Sequence, residues 1–170
     1  MVPIPDSYWL TEGQLLAGEY PGASTEKRAR PKLEALLRAG IRSFIDLTET
    51  VDPLEPYESL VREIAATLGI EVTYRRIAIR DMSIPTGDVM ASIQDAIQSE
   101  MAAGRPVYFH CWGGIGRTGT VAACWLVEQG HSCDEALDML STLRASTPDG
   151  DRESPQTEEQ RAFVRNWRKP

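Results

Sequence analysis

The sequence predicts an α/β fold: one central, mainly parallel sheet flanked by helices. Three observations point there. Short apolar runs alternate with helical runs along most of the chain. The intervals between those runs are long enough for crossover connections, which parallel strands require. The residues richest in chemistry then fall just after runs read as strands, in "DLTE" (46–49), "RDMS" (80–83) and "HCWGGIGRT" (110–118). The carboxyl edge of a parallel sheet is where α/β proteins bind and react. The chain has 170 residues, enough for one domain (1–170) with its own core.

The elements follow in order. "YWL" and "QLLAGEY" read as strands ending at the turn "PGAST". "PKLEALLRA" (31–39) reads as a helix with Pro31 near its start and Gly40 closing it. "IRSFIDL" is a buried strand, "YESLVREIAATL" (57–68) a helix closed by Gly69, and "EVTYRRIAI" a strand. "GDVMASIQDAIQSEMAA" is a helix capped by Thr86. "PVYFH" is a short apolar strand and "TGTVAACWLVEQ" a buried helix. The capping boxes "SCDE" and "TEEQ" open two more helices, 133–144 and 158–168.

Composition narrows the function. The net charge is −7, against the basic face a nucleic-acid platform presents. The start "MVPIPDSYWL" has no apolar signal region, and no apolar run approaches the roughly 20 residues of a membrane span. Three cysteines, at 111, 124 and 133, fit neither a disulfide framework nor a zinc site. A cytoplasmic protein without metal or other cofactor, acting on neither membrane nor nucleic acid, is the expectation.

A strand, a glycine-rich turn and a helix N-terminus make a phosphate cradle, because loop amides and the helix dipole converge on one anion. "GIGRTG" (114–119) satisfies G-x-G-x-x-G, but too little chain follows for a dinucleotide domain. The nucleotide P-loop would place glycine where Cys111 stands and lysine where Arg117 stands. The cysteine puts a nucleophile at the floor of the cradle. The arginine supplies a planar fork for two phosphate oxygens. His110, Cys111, five residues, Arg117 and Thr118 therefore resemble the H-C-x5-R-[ST] signature of the cysteine-dependent tyrosine and dual-specificity phosphatases. The likeness runs from "LLAGEYPG" to the helices after the loop, and the size is most similar to compact enzymes of the cyclin-dependent-kinase-associated type.

The resemblance implies a phosphotyrosine-phosphatase-like fold and a phosphocysteine intermediate. It carries roles onto particular residues. Cys111 is the nucleophile, favoured as thiolate by the loop amides, the helix N-terminus and Arg117. Trp112, Gly113, Gly114, Ile115 and Gly116 line the phosphate with Arg117, which also binds the transition state. Thr118 donates to the thiolate or caps the helix. His110 is a buttress. Asp81, in a proline-containing loop after a strand, is the general acid that the leaving oxygen requires. Asp88 is the rival, though it falls in the first turn of a helix, where acids complement the dipole. Glu49 either orients Arg117 or is a solvated loop acid; Gln160 either positions water or serves its capping box.

The substrate class follows from the loop. Wide phosphoinositide readers carry lysines in the cradle, and this one has none. A phosphorylated protein or peptide is the expected partner, with phosphate-like anions as site ligands. Arg75, Arg76 and Arg80 either attract it or form a solvated strand face. The alternatives are a non-protein phosphomonoesterase, a phosphate-binding pseudophosphatase and a rhodanese-like sulfur carrier, for which Asp81 and the Arg-Thr pair have no purpose.

Overall fold

The computed structural model describes residues 1–169. Strands β1 (Ser7–Thr11) and β2 (Leu15–Gly18) form a hairpin. Then come α1 (Glu26–Arg38), β3 (Ser43–Asp46), α2 (Glu58–Thr67), β4 (Thr73–Arg76), α3 (Gly87–Ala102), β5 (Val107–His110), α4 (Arg117–Glu128), α5 (Cys133–Arg144) and α6 (Glu158–Asn166). The sheet order is β1-β2-β5-β3-β4, and every neighbouring pair is parallel except β1 with β2.

The period of two along each strand decides which helices it meets. Leu16, Phe44 and Tyr108 pack with Leu33, Leu36, Val61 and Ile64 of α1 and α2. Leu15, Ala17, Ile45, Val107 and Phe109 pack on the other face with Ile93, Val121, Leu140 and Val164 of α3 to α6. With both faces covered, the central strands are apolar at nearly every position. Each fully buried Leu, Ile or Phe contributes roughly 1.5–3 kcal/mol.

Register places the chemistry. Gly18 pairs with His110, His110 with Asp46, and Asp46 with Arg76, so four strands end level. The residues that follow them stand in a row along the carboxyl edge.

The helix read as 158–168 ends at Asn166 and the strand read over "EVTYRRIAI" spans Thr73–Arg76, but the largest difference from the sequence reading is at α1. Pro31 lies inside α1, which begins a turn earlier at Glu26. A proline inside a helix forfeits one backbone bond. Here the first turn is held by other means: Arg30 pairs with Glu26 on its own helix at 2.5 Å and with Glu63 of α2 at 2.8 Å. The Thr86 cap and both capping boxes are formed as the sequence predicts.

Candidate active site

Residues 111–116 join β5 to α4 at the centre of the sheet edge. Four of their six carbonyls are fastened to the surrounding scaffold. Cys111 O accepts from His110 Nδ1 at 3.1 Å, and Trp112 O accepts from the Tyr20 amide at 2.8 Å. Ile115 O accepts from the Ser154 hydroxyl at 2.7 Å, and Gly116 O from the Thr120 hydroxyl at 2.8 Å. Among the described residues, the amides of 112–116 donate to no other group of the protein. A loop with four of its six carbonyls tied to the scaffold and its donors left free is a nest for an anion. Gly114 makes the bend with φ +70°, and a Cβ there would lie 2.6 Å from the Gly18 carbonyl carbon, so only glycine fits.

Cys111 is buried at the floor of this loop. Beside it lies a cavity of about 80 Å³, lined by Asp81, Trp112, Gly116, Arg117, Arg152 and Gln156 among others. That is well below the roughly 300–1,000 Å³ of cofactor-sized pockets and suits a small anion. The larger hollow between Arg62 and Arg105, about 390 Å³, is at the amino end of the strands and holds no cysteine.

Arg117, 1% exposed, is the first residue of α4. Its Nη1 donates to Asp52 Oδ2 at 2.9 Å and to the Ile79 carbonyl at 3.1 Å. Nη2 lies 3.1 Å from Asp81 Oδ1, off the line of a hydrogen bond, so Nη2 and Nε have no hydrogen-bond acceptor in the protein. Burial alone would weaken the guanidinium's hold on its proton; the Asp52 hydrogen bond and the charges of Cys111, Asp52 and Asp81 push its pKa above the ordinary value. A buried fork anchored on one edge and without a hydrogen-bond acceptor on the other is built to take an oxyanion.

Glu49 does not orient Arg117; Asp52 does. The chain turns back after β3, with the Glu49 amide donating to Asp52 Oδ2 at 3.1 Å, and this folds Asp52 over the guanidinium. Glu49 Oε2 instead accepts from the Asp81 amide at 3.3 Å and steadies that loop. Arg76 is no free cation either: it pairs at 3.1 Å with Asp46, which is wholly buried and also accepts from Thr48 and Tyr74.

Thr118 Oγ1 makes a long 3.4 Å bond to Gly18 O and none to Cys111, and the N-cap is Gly116 rather than Thr118. Gln160 is fully buried: its Oε1 completes the capping box with the Thr157 amide and its Nε2 donates to Ser83 O in the Asp81 loop. It ties α6 to the acid loop, and it also lines the cavity, with one Nε2 hydrogen and one Oε1 lone pair not used by these bonds. Gln156, which the sequence did not flag, reaches the same cavity. Asp81, half exposed, lines the cavity, whereas Asp88 sits in the first turn of α3 beside a separate hollow with Arg75 and Asp95. Cys124 is buried within α4 and burial pushes its thiol pKa well up, which makes it inert. No three His, Cys, Asp or Glu side chains are grouped to hold a metal among the described residues.

His110 is buried and sandwiched by polar partners. A carbonyl only accepts, so Nδ1 carries the proton to Cys111 O, and Nε2 accepts from Tyr57 OH at 2.6 Å. Burial lowers its pKa, against the Asp46 charge and the Cys111 bond, so the neutral ring is the folded form. Because the unfolded chain takes up the proton first, stability should fall as pH drops below the ordinary value of about 6.5, and the loss should end at the folded pKa. Denaturant midpoints followed from about pH 7.5 down to 5 should show this slope, and His110→Gln should flatten it. Parallel curves for the two proteins would contradict a neutral buried ring.

With this geometry in hand, the relatives become informative. A family model described as a polymorphic toxin system DSP-PTPase phosphatase (Tc-R-P) matches residues 19–131, well over half the chain and every element from the end of β2 through α4. The chain belongs to this DSP-PTPase phosphatase family. Among solved structures, a mutant form of Tk-PTP is 25% identical, covers 95% of this chain and 93% of its own, and superposes with a TM-score of 0.70. Kinase-associated phosphatase (KAP), with its catalytic cysteine replaced by serine, is 23% identical over 88% of this chain and 83% of its own, TM-score 0.66. TpbA of P. aeruginosa, solved in complex with pTyr, is 19% identical over 98% and 86%, TM-score 0.66. These agree with the phosphatase-like α/β fold. An uncharacterized protein of Methanocaldococcus jannaschii is 47% identical over 49 residues; the match spans 29% of this chain and a third of that relative's length. The chain has the fold of the dual-specificity phosphatases. No helix among the described residues is long and apolar enough to cross a membrane.

Proposed function

We propose that this phosphatase hydrolyses phosphotyrosine, and phosphoserine or phosphothreonine with it, on protein substrates through a phosphocysteine intermediate. The observation that carries this is the cradle itself: tied carbonyls at four of six positions, free amides and the Arg117 edge that has no hydrogen-bond acceptor surround Cys111 in one small cavity. A single phosphoryl group satisfies those donors. The loop adds no lysine for further phosphates, which favours a simple monoester over a highly phosphorylated lipid.

In the first step the Cys111 thiolate attacks phosphorus in line, the S–P bond forms and the P–O bond breaks. Asp81 hands its proton to the leaving oxygen. The amides of 112–116 and the Nε–Nη2 edge of Arg117 hold the equatorial oxygens, where negative charge is spread in the transition state. In the second step Asp81, now a carboxylate, takes a proton from water as the water attacks the phosphocysteine. Inorganic phosphate leaves and the thiolate returns. Thr118, weakly held by Gly18 O, swings to Sγ and stabilises it as a leaving group. His110 keeps Cys111 O turned out of the cradle, and Tyr57 fixes the ring that does so.

Phosphate release from a phosphotyrosine peptide tests the reading. The positive charge of the site comes from amides and Arg117, so turnover should survive a chelator and be abolished by vanadate or thiol alkylation. Turnover lost to chelation and restored by a divalent metal would overturn the cysteine mechanism. Tight phosphate binding without any release would mean a binding module.

A further inference from the structure

We propose that Arg152 is a second anion-binding residue at the mouth of the cradle, selecting phosphopeptides that carry an acidic side chain close to the phosphorylated residue. The proposal rests on the phosphatase reading above and specifies the substrate of that same site. Besides Arg117, Arg152 is the one cation among the described residues lining the cavity. The two differ in kind. Arg117 is buried and anchored to Asp52. Arg152 is half exposed, and its one ion pair is a 3.5 Å contact with the similarly exposed Asp149. Pairs of that kind contribute little and exchange readily for a better partner.

The position of Arg152 is nonetheless built. The buried guanidinium of Arg144 donates from Nη1 to Arg152 O at 2.8 Å and from Nη2 to Asp149 O at 3.0 Å. The Arg152 amide closes the turn onto Asp149 O at 3.1 Å. Two residues on, Ser154 donates to Ile115 O within the cradle. The backbone on either side of Arg152 is thus fastened, once to the core and once to the phosphate loop, while the side chain is held by no more than the 3.5 Å contact with Asp149. The transferred phosphoryl group is already satisfied by the loop amides and Arg117, so the anion Arg152 meets is a second one on the same substrate.

Charge makes such a residue useful. The chain carries −7 overall, and Asp52 and Asp81 stand beside the cavity, so an anionic substrate approaches a repelling surface. A guanidinium at the rim offsets that locally, and a carboxylate is the planar partner its fork matches. In an extended peptide successive residues advance by about 3.3 Å, which puts a neighbouring side chain within reach of the rim.

The test is a set of phosphotyrosine peptides in which each flanking position in turn carries Glu or its uncharged isostere Gln, with kcat/KM measured for wild type, Arg152→Ala and Arg152→Lys. Wild type should favour Glu at one flanking position by about fivefold, through KM, as a part-wet ion pair would give. Arg152→Ala should bring that ratio to one, Arg152→Lys should keep part of it, and added salt should shrink it in wild type. Hydrolysis of a small aryl phosphate by wild type serves as the control: its absence would sink the phosphatase reading itself. Hydrolysis with a Glu/Gln ratio of one at every position, or a ratio that Arg152→Ala leaves intact, would overturn the subsite alone. A preference seen only for a small bisphosphorylated molecule would overturn the peptide assignment.

Discussion

Arg117→Lys is expected to lower kcat on a phosphotyrosine peptide by about 10²–10³-fold, the usual consequence of removing a preorganised donor to a developing oxyanion. The charge survives the change, so the test isolates geometry. Lysine is a point charge and cannot present two parallel N–H groups, whereas Nε and Nη2 of Arg117, which lines the small cavity, have no hydrogen-bond acceptor in the protein. Lysine is also the safer substitution for the fold. Asp52, its side chain 8% exposed, would be left without its cation in Arg117→Ala, and an orphaned buried charge costs about 3–5 kcal/mol. Inhibition by inorganic phosphate should weaken alongside kcat. A variant with near-normal turnover would mean the loop grips its phosphate by another route.

Asp81→Asn should slow phosphotyrosine hydrolysis by about 10²–10⁴-fold, the range for a positioned general acid. The distinguishing result is the dependence on leaving group. Tyrosine's phenolate has a conjugate pKa near 10 and needs the proton. An activated aryl phosphate with a more acidic phenol leaves unaided and should lose far less. Asp81 lies on the cavity with Cys111, and its amide is held by Glu49, so the loop is placed for this task. Asp88→Asn should do no more than trim the dipole interaction of α3, on the order of 0.3–1 kcal/mol. If Asp81→Asn slowed every substrate equally while Asp88→Asn showed the leaving-group trend, the acid would be Asp88.

The parts of the site legible in the sequence are those written in contiguous residues. Cys111, the glycines and Arg117 belong to one turn between a strand and a helix, so spacing alone places them in a cradle. The fold is legible for a similar reason: short apolar runs separated by helical runs of crossover length imply a parallel sheet covered on both faces before any contact is known. What sequence spacing could not reach are partners brought in by chain reversal. Glu49 directly follows the strand-end segment and looks like the natural mate for Arg117, but the turn through residues 49–52 delivers Asp52 instead. The one available sign was the "VDPLEP" stretch, whose prolines mark a loop that departs from helix and strand and can fold over the edge. Tyr57, the donor to His110, lies 53 residues upstream at the start of α2, and nothing local links the two. Arg152, Ser154 and Gln156 come from the segment between α5 and α6, whose return to the cradle depends on Arg144 and Ser154 finding carbonyls across the fold. Gln160 shows the opposite case: its capping box is local and correctly read, while its bond to Ser83 is long-range.

The covalent step is the centre of this account, and trapping it is the most direct measurement. The enzyme is mixed with a phosphotyrosine peptide, quenched in denaturant within a single turnover, digested, and the fragment spanning residues 107–120 weighed and sequenced by mass spectrometry. A phosphoryl group is expected on Cys111 in the wild type, accumulating further when the second step is slowed, with no adduct in Cys111→Ser. Phosphate release with no adduct on Cys111, or an adduct on His110 instead, would contradict it.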